Sequence, residues 1–229
     1  MAETTAQPSP ELSVAEEEAI FYHEAGLNAS WTGARLALGA LSFLFGAFVF
    51  AFFYLRSLNS HHLWYPKGLV TNGVAWEGPS LAMGTVIMAC IVVSALVQTL
   101  ALQRIKAGHK GTWVQGAVLA LLLGLAAVAL EVWQLTHLGF WPGSAGFASV
   151  FVGFNPVFLT IVFCAMVWLE ILIMRCRSIP QISFVEQPPT YAEAFSVQRF
   201  QAALSSFTVT WNYLAVVAII AWILFYLVH

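Results

Sequence analysis

None of the histidines of this chain lies in the middle of an apolar segment. Histidine is the side chain most often used to hold a redox metal inside a membrane. A buried haem or copper centre needs imidazoles at depth, usually on facing helices. His61 and His62 are adjacent in one polar loop, so their rings would diverge on a regular backbone. The six histidines are His23, His61, His62, His109, His137 and His229. Their positions predict that the chain binds no haem, copper or other metal itself.

Signatures of catalysis are also missing from the sequence. No GxSxG, HExxH or phosphate-binding loop is present, and all 11 acidic residues are glutamates. The three cysteines, Cys90, Cys164 and Cys176, show no CxxC spacing, and the first two lie in apolar runs where cysteine acts as a small hydrophobe. The sequence therefore predicts no catalytic residue in this chain.

Two ionisable residues do fall inside apolar runs, and they are the strongest candidates for a functional role. Glu131 lies toward one end of the third run, with Trp133 and Gln134 close behind it. Glu170 lies near the end of the fourth run, where it can reach water or pair with Arg175. An ionised side chain at the bilayer centre costs about 2.5–3.5 kcal/mol on insertion scales. We therefore expect Glu131 and Gln134 to face another helix.

The elements that must position these residues are membrane-spanning helices. The chain of 229 residues is 60% hydrophobic and 9% charged, and its mean hydropathy is +0.80. An apolar run of roughly 18–25 residues is long enough to cross a bilayer as a helix. Five such runs are expected, at 34–55, 80–102, 112–135, 148–174 and 206–228. The predicted fold is an all-α, polytopic bundle of five transmembrane helices.

A short polar segment precedes this bundle. Residues 1–32 are predicted to form a cytoplasmic N-terminal segment with a short amphipathic helix, and residues 33–229 to form the transmembrane domain. Ser13 and Glu16 fit a capping box at the start of that helix. The acidic start lacks the basic region of a secretory signal, so we expect this segment to be retained.

The distribution of basic residues predicts the orientation. One side of the predicted topology carries seven basic residues and the other carries only Arg56 and Lys67, so the positive-inside rule predicts a cytoplasmic N-terminus. The seven are Arg35, Arg104, Lys106, Lys110, Arg175, Arg177 and Arg199. The net charge of −2 gives no reason to expect a nucleic-acid partner.

Tryptophans and glycines add two packing predictions. Six tryptophans near span ends suggest an interfacial aromatic belt; they are Trp31, Trp64, Trp76, Trp113, Trp133 and Trp141. Glycine pairs spaced about two turns apart, Gly39 with Gly46 and Gly116 with Gly124, predict stripes where helices approach closely. The many phenylalanines of the first span cover it all round, so some must meet lipid or another subunit.

Four short motifs, in this order along the chain, resemble those of subunit III of the haem-copper oxidases in its short, five-helix form. Residues 50–57 read FAFFYLRS, similar to the family pattern F-A-x-F-Y-x-R. Leu130-Glu131-Val-Trp133 resembles A-x-E-Y/W, and Gly153-Phe154 resembles part of the G-F-H-G-L-H region. Trp211-Asn212 opens a stretch similar to Y-W-H-F-V-D-V-V-W. The resemblance covers about residues 33–228.

The chain departs from this family at titratable positions. Ala40 stands where the family has a glutamate, and Asn155 and Pro156 follow Gly-Phe where the family has histidines. Asn212 and Ala215 replace a histidine and an aspartate of the last helix. These departures imply a diverged subunit III with a mainly structural role and less capacity to deliver protons.

The resemblance implies an accessory, non-redox subunit of a respiratory terminal oxidase in a prokaryotic plasma membrane. Its expected partners are the large haem-carrying subunit I, subunit II and membrane lipids, with haem and copper held in the partners and phospholipid bound by this chain. The candidate contact residues are Glu131, Trp133, Gln134, Asn155, Trp211 and Asn212. Two alternatives are an accessory subunit of a nitric-oxide reductase and a small membrane transporter or scaffold. A transporter would require broken helices or several polar groups at depth.

Overall fold

Five long helices make up nearly all of the described structure. The computed structural model describes residues 14–58, 64–66, 70–71, 74–180, 184–185 and 191–228. The helices are α1 (Val14–Leu58), α2 (Leu81–Lys106), α3 (Lys110–Thr136), α4 (Gly146–Ser178) and α5 (Tyr191–Trp222), and α5 runs on into a π-helical end over Ile223–Leu227. Each contains a segment long and apolar enough to cross a membrane, with mean hydropathies of 1.9 to 2.6. The prediction of an all-α bundle of five helices, each long and apolar enough to cross a membrane, is confirmed in the described part of the chain.

The first helix begins well before the predicted span. It is continuous from Val14 to Leu58, so the expected N-terminal helix and the first span form one element. The part that qualifies as a membrane span is Glu24–Leu58. Nothing in this stretch interrupts the helix, because it contains no proline and its polar residues are compatible with helical backbone. Residues 1–13, including Ser13 of the predicted capping box, lie outside the described residues.

Close packing on both sides of α3 holds the core together. α3 packs on α2 along most of its length and on α4 along its other side, while α5 packs on α2. A Cβ added at Gly116 would lie 2.8 Å from the Cβ of Ala101 on α2, and one added at Gly124 would meet Met166 on α4. The predicted close approach at Gly116 and Gly124 is therefore confirmed, although the two glycines face different helices.

The same prediction for the first helix is wrong. Among the described residues, no atom of another helix lies within 4 Å of a Cβ built at Gly39 or Gly46. α1 lies at the edge of the bundle, where it contacts α5 and α4 along only part of its surface. Phe43, which is 84% exposed, and Phe50 point outward, whereas Phe45 and Phe52 are buried. The phenylalanines of α1 thus divide between the core and the outer surface, as expected.

One end of the bundle is closed by aromatic rings. Trp64 and Trp76 are buried there with Phe140 and Phe147, and Trp76 stacks on Phe140 with ring centroids 5.4 Å apart. Burial raises the pKa of the Tyr65 phenol above its ordinary value. A two-stranded hairpin, β1 (Val70–Thr71) with β2 (Val74–Ala75), lies in the same connection.

The prediction of an interfacial tryptophan belt is wrong for three of its six residues. Trp31, Trp133 and Trp141 are exposed, as residues of a belt must be. Trp64, Trp76 and Trp113 are instead buried in the core. The reason is tertiary: aromatic rings of distant segments pack against these tryptophans, Phe147 against Trp64 and Trp76, and Phe200 against Trp113.

The opposite end of the bundle carries basic residues. Arg104 and Lys106 lie in the last turn of α2, and Arg175 and Arg177 lie in the last turn of α4. The Lys110 ammonium, at the start of α3, donates hydrogen bonds to the carbonyl oxygens of Ile179 and Arg177. This contact places the end of α4 beside the α2–α3 turn, so residues far apart in sequence gather at one end.

Candidate functional site

The predicted site residues Glu131 and Gln134 lie on the buried face of α3. Glu131 is 8% exposed and Gln134 is 4% exposed, and both are close to the end of the helix at Thr136. Their spacing of three residues puts them on one face. The expectation that both face another helix is confirmed.

Asn155 joins Glu131 at a small cavity. This cavity of about 40 Å³ lies between α2, α3, α4 and α5, and both residues line it. Asn155 on α4 is 8% exposed. Oε1 of Glu131 and Nδ2 of Asn155 are buried without a hydrogen-bond partner among the described residues. A cavity of this size holds a water molecule, which can bridge a carboxyl and an amide.

Tyr226 supplies the hydrogen-bond partner of Gln134. Nε2 of Gln134 donates to the Tyr226 hydroxyl oxygen at 2.7 Å, which links α3 to the last turn of the chain. The Tyr226 ring also packs against Gly84 so closely that a Cβ at position 84 would collide with it. Gly84 is therefore required for this approach of α2 and the end of α5. Trp222, one turn earlier, donates from Nε1 to Oγ1 of Thr85 at 3.0 Å.

Trp211 lies deeper in the bundle and links three helices. Its indole Nε1 donates to Oγ of Ser94 on α2 at 3.1 Å, and that hydroxyl donates to the carbonyl oxygen of Ala120 on α3 at 2.7 Å. Both Trp211 and Ser94 are fully buried. The polar atoms of this relay are satisfied within the protein, and its geometry fits a structural role.

Asn212 makes a separate contact with α2. Its Nδ2 donates to Oγ1 of Thr99 at 3.0 Å, and Thr99 donates in turn to the carbonyl oxygen of Ala95 at 2.9 Å. Trp211 and Asn212 are adjacent on α5, and they thus bond to two different residues of α2, Ser94 and Thr99. Trp211 and Asn212 fix the register of these helices and lie away from the Glu131 cavity, whose lining includes neither of them.

Trp133 points away from the other predicted residues. It is 52% exposed and stacks on His137 with ring centroids 4.5 Å apart. Two residues after Glu131 on a helix, it faces a different direction. The structure therefore brings Glu131, Gln134 and Asn155 together, and leaves Trp133 on the outer surface.

An apolar cleft separates α1 from α5. Its volume is about 210 Å³. It is lined mainly by aliphatic and aromatic side chains, including Phe45, Phe52, Phe154, Val217 and Leu224. Gly46 contributes no side chain to one wall, which leaves space there. The lining is suited to a hydrocarbon chain and offers almost no polar partner.

Sequence reasoning missed several polar residues of α2. Ser94 and Gln98 are both fully buried, and neither side-chain atom of the Gln98 amide has a hydrogen-bond partner among the described residues. Their spacing of four residues in an otherwise apolar span indicates one inward polar face, and could have identified Ser94 and Gln98 as inward-facing residues. Tyr226 carried no such signal, because interfacial tyrosines are common at span ends.

Metal-ligating residues do not gather in the part of the chain that the structure describes. There, no group of three or more His, Cys, Asp or Glu side chains could hold a metal ion. Cys90, Cys164 and Cys176 are free thiols. Glu170 is exposed on α4, away from Glu131. The His61–His62 pair and His229 lie outside the described residues.

Comparison with known proteins adds no assignment. No protein-family model matches the chain, and no curated protein matches it significantly.

Proposed function

We propose that this chain is an accessory, non-redox subunit of a respiratory haem-copper terminal oxidase. In this role it binds the haem-carrying subunit I and subunit II, stabilises the catalytic subunit and holds phospholipid. Oxygen reduction takes place in the partners, where haem and copper are bound. The chain contributes shape, packing surface and a hydrocarbon-lined cleft.

The observation that carries this proposal is that residues of separate family-like motifs meet in space. Phe52 of the first motif, Phe154 of the third and Tyr213 of the fourth line the same apolar cleft. Phe154 also lines the small cavity that contains Glu131 of the second motif. Four short segments spread over four helices thus converge on two adjoining cavities.

The outer surface supports a role as a partner of other membrane helices. Large apolar side chains are exposed along α1, α2 and α3, among them Phe43, Leu96, Leu100 and Leu122. In a membrane such faces pack against lipid or against other helices. The cleft between α1 and α5 accepts an acyl chain, because its lining is almost wholly apolar. Bound lipid would support α1, which is the least buried of the five candidate spans.

The proposed location is a prokaryotic plasma membrane with the N-terminus in the cytoplasm. The seven-to-two bias of basic residues supports this orientation. The Lys110 contact with the end of α4 supports it further, since it gathers basic residues of three helices at one end.

The test is purification of the chain from its own membrane with its partners attached. Gentle solubilisation and affinity capture are expected to yield a complex with a haem absorption spectrum and a large, histidine-rich polytopic subunit. Oxygen consumption by that complex supports the terminal oxidase. Turnover of nitric oxide instead of oxygen assigns the chain to a nitric-oxide reductase, and a colourless oligomer of this chain alone refutes both.

The transporter alternative gains no broken helix from the described structure. A proline inside a span is a common cause of a broken helix, yet α4 is continuous from Gly146 to Ser178 around Pro156. Pro156 is the eleventh residue of α4, so its missing N–H removes one hydrogen bond from the helix interior without ending the helix. The Thr160 hydroxyl donates to the Pro156 carbonyl oxygen at 2.8 Å. The described helices therefore give no support to discontinuous spans around a midplane binding site.

A further inference from the structure

We infer that a third pocket, at the basic end of the bundle, binds the phosphate group of an anionic phospholipid. The pocket lies between the end of α4 and the first turns of α5, and its volume is about 340 Å³. That volume falls within the range of small-ligand sites, roughly 300–1,000 Å³. Its lining consists of Leu172, Arg175, Ser178, Ile179, Phe195, Ser196, Arg199, Phe200 and Ala203. It shares no residue with the apolar cleft or the Glu131 cavity.

Two arginines give this pocket its charge. Arg175 comes from the last turn of α4 and Arg199 from α5, and both line the pocket. Among the residues that the structure describes, no acidic side chain lines the pocket. Both side chains are exposed, so their guanidinium groups are accessible. Guanidinium groups bind phosphate oxygens through paired, charge-assisted hydrogen bonds.

The C-terminal end of α4 does not repel an anion, because the partial negative charge of its last carbonyl groups is already neutralised. The last carbonyl groups of a helix carry a partial negative charge. Here the Lys110 ammonium donates to the carbonyl oxygens of Arg177 and Ile179, and the Ser178 hydroxyl donates to that of Arg175 at 2.7 Å. Because these carbonyl oxygens already accept hydrogen bonds, the Arg175 guanidinium is not needed as their donor.

The depth of the pocket favours a lipid over a soluble phosphate. Leu172, Phe200 and Ala203 line it alongside the arginines, and Leu172 and Ala203 lie deeper along their helices than Arg175 and Arg199. A headgroup at the arginines would therefore place its acyl chains against apolar side chains. Basic pockets between transmembrane helices bind lipid headgroups in this way. The inference requires only the membrane spans and stands apart from the proposed oxidase.

The experiment measures lipid binding to the full chain, or to the complex with which it purifies, in detergent. Short-chain phosphatidylglycerol is titrated while the melting temperature is followed, and native mass spectrometry counts retained lipids. Phosphatidylglycerol is expected to raise the melting temperature, whereas phosphatidylcholine of equal chain length and inorganic phosphate are not. Arg175→Gln with Arg199→Gln should weaken phosphatidylglycerol binding about tenfold or more. The matched control, Arg104→Gln with Lys106→Gln, removes two charges from the same end outside the pocket and should bind as the unchanged chain does.

Several results would overturn the inference. These are an equal loss in the control pair, an unchanged affinity in the pocket pair, an equal response to phosphatidylcholine, or stabilisation by inorganic phosphate alone. If the double variant does not fold, the single variants Arg175→Gln and Arg199→Gln provide the test, each with an expected loss of several-fold. Arg175→Lys with Arg199→Lys keeps both charges and should retain selectivity for phosphatidylglycerol over phosphatidylcholine.

Discussion

The Gln134 side-chain amide donates a 2.7 Å hydrogen bond to the Tyr226 hydroxyl, and so joins the end of α3 to the end of α5 across 92 positions of sequence. Both groups lie beside the Glu131 cavity, which Tyr226 lines. The contact therefore covers the Glu131 cavity on the side that faces the end of α5. It also gives a direct way to test whether the end of α5 is held by this bond.

Replacing Tyr226 with Phe removes this bond and leaves the Gln134 donor buried. We expect a loss of about 0.5–1.5 kcal/mol in the free energy of unfolding. Unfolding in detergent, followed by tryptophan fluorescence, measures it. The control is Tyr54→Phe, at an exposed tyrosine of α1, with no expected loss. In a double-mutant cycle with Gln134→Leu, additive effects would show that the two groups do not interact.

Replacing Gly84 with Ala tests the close approach of α2 to the end of α5. The added methyl group would collide with the Tyr226 ring, so the ring or the helix must move. Overpacking of this kind costs about 1–3 kcal/mol. Gly39→Ala is the matched control, because open space surrounds its Cβ position. Equal melting temperatures of the two variants would contradict the packing described here.

Replacing Ser94 with Ala interrupts the relay from Trp211 to Ala120. The indole N–H would then be buried without an acceptor, at a cost of about 1–3 kcal/mol. Ser57→Ala serves as control, since the Ser57 hydroxyl is exposed and bonds only to Tyr54 of its own helix. Comparable unfolding curves for both variants would mean that the relay contributes little to stability.

Replacing Glu131 with Gln keeps the shape of the side chain and removes its carboxyl group. If the carboxyl group serves assembly or turnover of the complex, this variant is expected to lower the yield of complex or its rate of oxygen consumption. Glu170→Gln, at an exposed position on α4, should change neither. Full assembly and full activity of the Glu131 variant would leave this residue with a packing role only.

Replacing Gly46 with Phe fills the apolar cleft. Its Cβ position is open, so the ring can enter the cleft without a backbone shift. We expect fewer phospholipids retained per chain in native mass spectrometry. Gly39→Phe is the control, since Gly39 is equally open but does not line the cleft. Unchanged lipid retention in the Gly46 variant would argue against an acyl chain at this place.

The sequence by itself determined the class of protein and the helices. A span must satisfy every backbone group internally and present apolar side chains to lipid, so composition and run length reveal it directly. For the same reason, the inward position of Glu131 and Gln134 followed from the cost of placing polar groups in hydrocarbon.

Only the tertiary structure decided which faces meet. In lipid both the core and the outer surface of a bundle are apolar, so hydrophobicity does not distinguish Phe45 from Phe43, or Gly124 from Gly39. The burial of Trp64 and Trp113, the meeting of Glu131 with Asn155 and the pairing of Arg175 with Arg199 in one pocket arise from contacts between distant segments. Such contacts depend on how the helices are arranged, and no local pattern of residues encodes that arrangement.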